Sequence, residues 1–114
     1  LSAAFSPDGK KVATIGSDQT ARIHDAASGA LLRQLGSYAF AAHSIAFSPG
    51  DGSVAIGLFT GEVYVYNPTT GALLLRIPSS DSPIEAMVYS PDGHRLFTAG
   101  ADGALKAYDA QSGQ

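Results

Sequence analysis

Three histidines, His24, His43 and His94, are the residues best suited to ligate a metal or to move a proton near neutral pH. A metal site needs several such ligands brought to one point. These three fall at a strand end, within a strand and in a turn, and no spacing pairs them on one ion. Cysteine is absent, which excludes disulfides and thiolate ligation. A nucleophilic triad needs serine, histidine and aspartate converging in space. Here Ser6, Ser48 and Ser90, like Asp8 and Asp92, belong to turn motifs that already account for them. Glu62 and Glu85 stand at unrelated places and suggest no carboxylate pair for acid–base work. Gly100-Ala101-Asp102-Gly103 opens no helix, so a phosphate cradle is unsupported. The expectation is a protein with no catalytic residue, no metal and no cofactor.

The bulk composition narrows the partners. The 114 residues are 45% hydrophobic and 15% charged, the balance of a folded chain with a core of its own. Seven basic residues spread thinly within a net charge of −3 argue against nucleic acid and an anionic membrane surface as partners. No apolar run approaches the length of a helical membrane span. The chain opens on Leu1 without a signal-peptide pattern, which reads as a segment of a longer polypeptide.

What positions these residues is a repeat. Phe5-Ser6-Pro7-Asp8-Gly9 returns as Phe47-Ser48-Pro49-Gly50 and as Tyr89-Ser90-Pro91-Asp92-Gly93, at an interval of 42 residues both times. The register holds without a gap. His24, Tyr66 and Tyr108 align, followed by Asp25, Asn67 and Asp109, and Gly29, Gly71 and Gly113 align after them. Each period predicts four short strands. The first ends in the aromatic of the motif, and Ser-Pro-Asp-Gly then makes a turn, proline fixing φ and glycine accepting positive φ. Second strands are expected at Lys11–Gly16, Ser53–Leu58 and Arg95–Gly100, and third strands at Ala21–His24, Val63–Tyr66 and Leu105–Tyr108. Fourth strands are expected at Ala30–Leu35 and Ala72–Ile77. Tight turns join second to third strands at Asp18-Gln19, Thr60-Gly61 and Asp102-Gly103. The second halves of the segments Tyr38–Phe47 and Ser80–Tyr89 are read as first strands, their first halves as loop. Val63-Tyr64-Val65-Tyr66 offers no polar face, as expected of sheets covered on both sides. Four strands in a period near 40 residues is the spacing of a β-propeller blade.

On these residues the chain resembles the WD-repeat β-propeller family. The resemblance rests on the Phe-Ser-Pro-Asp-Gly motif and its echoes, on Gly16-Ser17-Asp18 and Gly100-Ala101-Asp102-Gly103, and on the His24-Asp25, Tyr66-Asn67 and Tyr108-Asp109 pairs. It implies an all-β propeller fragment of four-stranded antiparallel blades. Asp18 and Asp102 match the family's turn aspartate, with Thr60 in that place in the middle copy, and Thr14 and Thr98 match its strand hydroxyl. His24, Tyr66 and Tyr108 stand where the family has tryptophan, so the full hydrogen-bond network of the family is absent from every copy. The phasing places blade one at 1–35 with its first strand truncated, blade two at 36–77, and blade three at 78–114 without its outer strand. The expected whole is an arc of a larger ring; the alternative is self-assembly of several copies.

The resemblance implies a non-catalytic scaffold that presents loops to partner proteins or peptides, alongside the remaining blades of a parent propeller. One rim carries the interblade links and the turns around Ser17, Phe59 and Ala101, and there Tyr38, Phe40 and Phe59 are candidate anchors. Tyr38 and Phe40 have an equal alternative as packing between blades. Phe59 is the sharper candidate, because its counterparts are the small Ser17 and Ala101. The expected location is intracellular and cytoplasmic, with cytoskeletal, ciliary and nuclear sites as alternatives. Tyr64 to Gly71 is also similar to quinoprotein propeller repeats, but their tryptophan docking motifs are missing, which leaves a propeller enzyme as the alternative function.

Overall fold

The computed structural model describes residues 2–15, 20–37, 42–78 and 82–114. They form eleven strands in three antiparallel sheets. The first sheet holds β1 (Ser2–Phe5), β2 (Lys11–Ile15), β3 (Thr20–Asp25) and β4 (Leu31–Ser37), in that spatial order. The second repeats the plan with β5 (Ala42–Phe47), β6 (Val54–Leu58), β7 (Glu62–Tyr66) and β8 (Leu73–Pro78). The third has β9 (Ile84–Tyr89), β10 (Arg95–Gly100) and β11 (Leu105–Asp109). Successive strands pair with their sequence neighbours, and the first strand of each sheet packs on the next, β1 on β5 and β5 on β9. The alanine-rich stretch before Phe47 contributes strand β5 from Ala42 onward.

The turns follow from local chemistry. In the first and third copies Gly9 and Gly93 adopt φ of 72° and 76° and donate their N–H to the carbonyls of Ser6 and Ser90, at 2.9 Å each. Asp8 then accepts the Ser6 hydroxyl at 2.6 Å and the Lys10 N–H at 2.9 Å, and Asp92 repeats this with Ser90 and His94 at the same distances. The middle copy departs. Asp51 stands where the other copies have the positive-φ glycine, a conformation costly for any residue with a Cβ. The left-handed residue therefore moves on by one, to Gly52 at φ 78°, whose N–H reaches the Ser48 carbonyl at 3.2 Å. Asp51 takes over the carboxylate's part and accepts the Ser53 N–H at 3.0 Å. Gly50, left without a side chain, lets Gly93 of the next sheet come so close that a Cβ there would lie 2.8 Å from the Gly50 backbone.

At the third-to-fourth-strand turns, the residue after each His or Tyr does the capping. The Asp25 carboxylate accepts the N–H groups of Ala27 and Ser28, Asn67 those of Thr69 and Thr70, and Asp109 those of Gln111 and Ser112. These bonds hold the carboxyls low. The Ser6 hydroxyl and the Lys10 N–H lower Asp8, the Ser28 and Ala27 N–H groups lower Asp25, the Ser90 hydroxyl and the His94 N–H lower Asp92, and the Ser112 and Gln111 N–H groups lower Asp109. A depressed folded-state pKa means stability that is present above the unfolded value of about 3.9 and lost as pH falls through the folded one. The urea midpoint is thus expected to hold from pH 7 to pH 5 and to drop below about pH 4. A midpoint unchanged at pH 3 would mean that the turns do not depend on these carboxylates.

The core lies in two seams. Ala13, Ile15, Ala21, Ile23 and Leu35 of the first sheet meet Ile45, Val54, Ile56, Leu58 and Tyr66 of the second. On its other face the second sheet packs Ala55, Val63, Val65 and Ile77 against Ile84, Tyr89 and Leu96 of the third. Covered on both sides, β6 is buried at all five positions, which explains its lack of polar alternation. Equivalent residues differ at the ends of the stack. Val63 is fully buried, whereas its counterpart Leu105 is 72% exposed. Tyr89 is 8% exposed and its counterpart Phe5 68%.

Candidate functional site

The rim that carries the second-to-third-strand turns presents Phe59. It lies in the turn Leu58–Glu62, closed by the Gly61 N–H donating to the Leu58 carbonyl at 3.0 Å, with Gly61 at φ 94°. Its ring is 52% exposed. It meets His43 of β5 edge to face, with centroids 5.7 Å apart and planes at 86°. His43 Nδ1 in turn lies 3.6 Å from the Glu85 carboxylate on β9. Aromatic, imidazole and carboxylate thus bridge the second and third sheets at one lip of the stack. Both ionisable partners are partly solvent-exposed, so the pair adds at most about 1 kcal/mol and only when His43 is protonated. Glu62 beside them is engaged: Arg76 Nε and Nη2 hold its carboxylate at 2.6 and 2.5 Å, and the guanidinium lies 5.7 Å from the centre of the Tyr64 ring.

The remaining sequence candidates are distributed as follows. Ala101 is exposed in the turn after β10, on the same rim as Phe59. Ser17, Asp18, Tyr38 and Phe40 lie outside the described residues. Asp102 is exposed, and its carboxylate accepts the Ala104 N–H at 3.0 Å. Thr98 is buried at the second seam, while Thr14 is half-buried. Tyr66 is buried at the first seam and Tyr108 packs partly buried at the second. His24 is half-buried, with Nδ1 3.3 Å from the Gly29 carbonyl across its turn. Among the described residues no group of three or more His, Asp or Glu side chains is arranged to hold a metal ion.

The sequence reading, which set Glu85 only against Glu62, offers no link between His43 and Glu85. The missing signal is their separation of 42 residues, one full period. Equal positions on successive inner strands must become neighbours once the sheets stack.

A family model described as "WD domain, G-beta repeat" matches residues 1–25 and 71–109, just over half of the chain. Among curated proteins, the chain is 31% identical over 81 residues to "Periodic tryptophan protein 2 homolog" of Dictyostelium discoideum, covering 69% of this chain and 9% of that protein. It is 41% identical over 63 residues to "WD repeat-containing protein 3" of Mus musculus, covering 55% and 7%. With "Meiotic recombination protein rec14" of Schizosaccharomyces pombe it shares 27% over 112 residues, covering 98% and 37%. The chain therefore spans less than a tenth of the length of the first two relatives. A crystal structure of the computationally designed Ika8 protein superposes with a TM-score of 0.84 at 23% identity, over 98% of this chain and 33% of that one. That likeness concerns the fold.

Proposed function

The chain belongs to the WD-repeat family, and on that premise we propose that it is a non-catalytic interaction scaffold, an arc of a larger propeller that presents a rim to partner proteins. The observation that carries this reading is Phe59, a large aromatic half out of the protein in a turn where the equivalent Ala101 is small. A residue needed only for packing would be buried. An exposed aromatic on a rigid turn buries much area on a partner at little entropic cost. The stacked sheets hold that turn still, which lowers the ordering cost of binding. The remaining blades of a parent ring are the further partners, resting on the apolar flanks around Phe5 and Leu105. The names of relatives, among them a U3 small nucleolar RNA-associated protein and a centriole proteome protein, support an intracellular setting without selecting a compartment. Replacing Phe59 by serine is expected to weaken partner capture about tenfold or more, as for an interface anchor, with the thermal midpoint unchanged. Unaltered capture would remove Phe59 from the interface, and a lower midpoint would assign it to the core.

A further inference from the structure

The two ends of the stack leave opposite faces of the sheets bare. Inside the stack, the face of the first sheet that carries Ala13 and Ala21 packs on the face of the second that carries Ile45 and Val54. The second sheet repeats this on the third, with Ala55 and Val63 against Ile84 and Leu96. At each seam the second strand of one sheet lies against the first strand of the next, β2 on β5 and β6 on β9. By the 42-residue register the third sheet offers the next such face, with Val88, Phe97 and Leu105. The first sheet offers the face that would receive it, with Ala3, Phe5 and Val12. Val88, Leu105 and Phe5 are 61%, 72% and 68% exposed. On the third sheet, Val88, Phe97, Ala99 and Leu105 line an apolar hollow of about 110 Å³.

These two faces depart from their internal counterparts in compensating ways. Phe97 stands where the internal seams have Ala13 and Ala55, and Leu105 where they have Ala21 and Val63, so the third sheet's bare face is the bulkier. The strand that Phe97 would meet is β1, where Ala3 stands in place of Ile45 and Met87, so the receiving face is the smaller. Large against small fills a seam to native density, whereas phenylalanine against isoleucine would overpack it. Charge changes in the same paired manner. At the first seam the Lys11 ammonium crosses to the turn capped by the neutral Asn67 and lies 3.5 Å from the Thr69 hydroxyl. The third sheet has the exposed Arg95 in place of Lys11, and the turn it would reach on the first sheet has Asp25 in place of Asn67. A guanidinium facing a carboxylate makes the stronger pair.

We propose that the two bare faces are complementary to each other, and that a second copy of this chain closes the ring, the third sheet of each copy packing on the first sheet of the other. This rests on the reading of the chain as an arc and names what supplies the remaining blades. Two copies bring six sheets, inside the range of about 4–8 blades at which propellers close, and three copies bring nine, outside it. A head-to-tail contact that closes gives a ring in place of a filament, here with two identical new seams. The test is sedimentation of the 114-residue chain across a dilution series. A mass twice the 11.6 kDa of one chain is expected, parting on dilution, with a thermal midpoint that rises with concentration. Leu105→Asp, which costs a single copy little, is expected to abolish pairing. Arg95→Glu sets a carboxylate against Asp25 and should weaken pairing about tenfold or more. Asp25→Asn copies Asn67, keeps the turn's acceptor oxygen, and should weaken it less. The size match is read by a double-mutant cycle. Phe97→Ala copies Ala13 and Ala55, Ala3→Met copies Met87, and each alone should weaken pairing, the first by lost contact and the second by overpacking. Together they restore the arrangement of an internal seam and should recover most of the loss. A single-chain mass at every concentration, a polymer that grows without limit, or a pair indifferent to Arg95→Glu and to the size exchange would overturn the proposal. Partner capture through Phe59 is a separate readout, so capture without pairing would remove the second copy and leave the scaffold reading standing.

Discussion

Replacing Gly57 by valine is expected to unfold the chain or to leave it barely stable. Gly57 lies in the middle sheet, on the face packed against the third. A Cβ at this position would lie 2.4 Å from the Ser44 hydroxyl oxygen and 2.7 and 2.9 Å from two carbons of Ile84. Nothing in that arrangement can yield cheaply. Ile84 is 1% exposed and wedged in the second seam, and the Ser44 hydroxyl donates to the Ile84 carbonyl at 3.1 Å in a buried bond across the seam. Even alanine should therefore cost about 1–3 kcal/mol, the range for overpacking a filled core. Valine adds two more carbons and should break the Ser44 bond as well. The other copies have Ile15 and Ala99 at this position, so side chains larger than glycine are admissible in the repeat as such. The restriction is local to the second seam. Urea denaturation of Gly57→Ala and the expression level of Gly57→Val check this, and a wild-type midpoint for Gly57→Ala would show that the second and third sheets do not approach this closely.

Val63→Asp and Leu105→Asp should behave oppositely although they change the same position of the repeat. Val63 is fully buried between the second and third sheets, and a carboxylate there would have no partner in the apolar cluster around it. The cost of burying an unpaired charge is several kcal/mol, which is most of the stability of a domain this size. Leu105, on the uncovered face of the third sheet, is 72% exposed and gives up little when replaced, within about 0.5 kcal/mol. Thermal unfolding of both variants of the 114-residue chain makes the comparison. Equal losses would mean that Leu105 is covered in solution, by a second copy or by another surface.

These two expectations mark how far the sequence could be read. The strand pattern was legible because it is set by neighbours in the chain. Proline and glycine punctuate the turns, the Asp or Asn after each His24-type residue caps the following loop, and β-branched and aromatic runs fill the strands. Strand ends shifted by a residue or so where the rungs run on, as at Glu62 and Asp109, which were expected outside β7 and β11. The middle turn was less legible. Aligning Gly50 with Asp8 keeps the register, yet the left-handed residue slips to Gly52, because Asp51 would be strained at that φ. The candidate rim was half legible: Phe59 stood out by contrast with its counterparts, while its contact with His43 and the pairing of His43 with Glu85 did not.

By itself, then, the sequence determined the period, the four-strand plan of each unit and the all-β class, since these depend on short-range preferences repeated in register. Only the tertiary structure decided which copies of a position are core and which are surface, and where glycine is compulsory. The reason is that burial at a seam belongs to a pair of sheets. Equivalent positions in the repeat leave Val63 and Leu105, or Phe47 and Tyr89, in different surroundings once the face opposite each is specified.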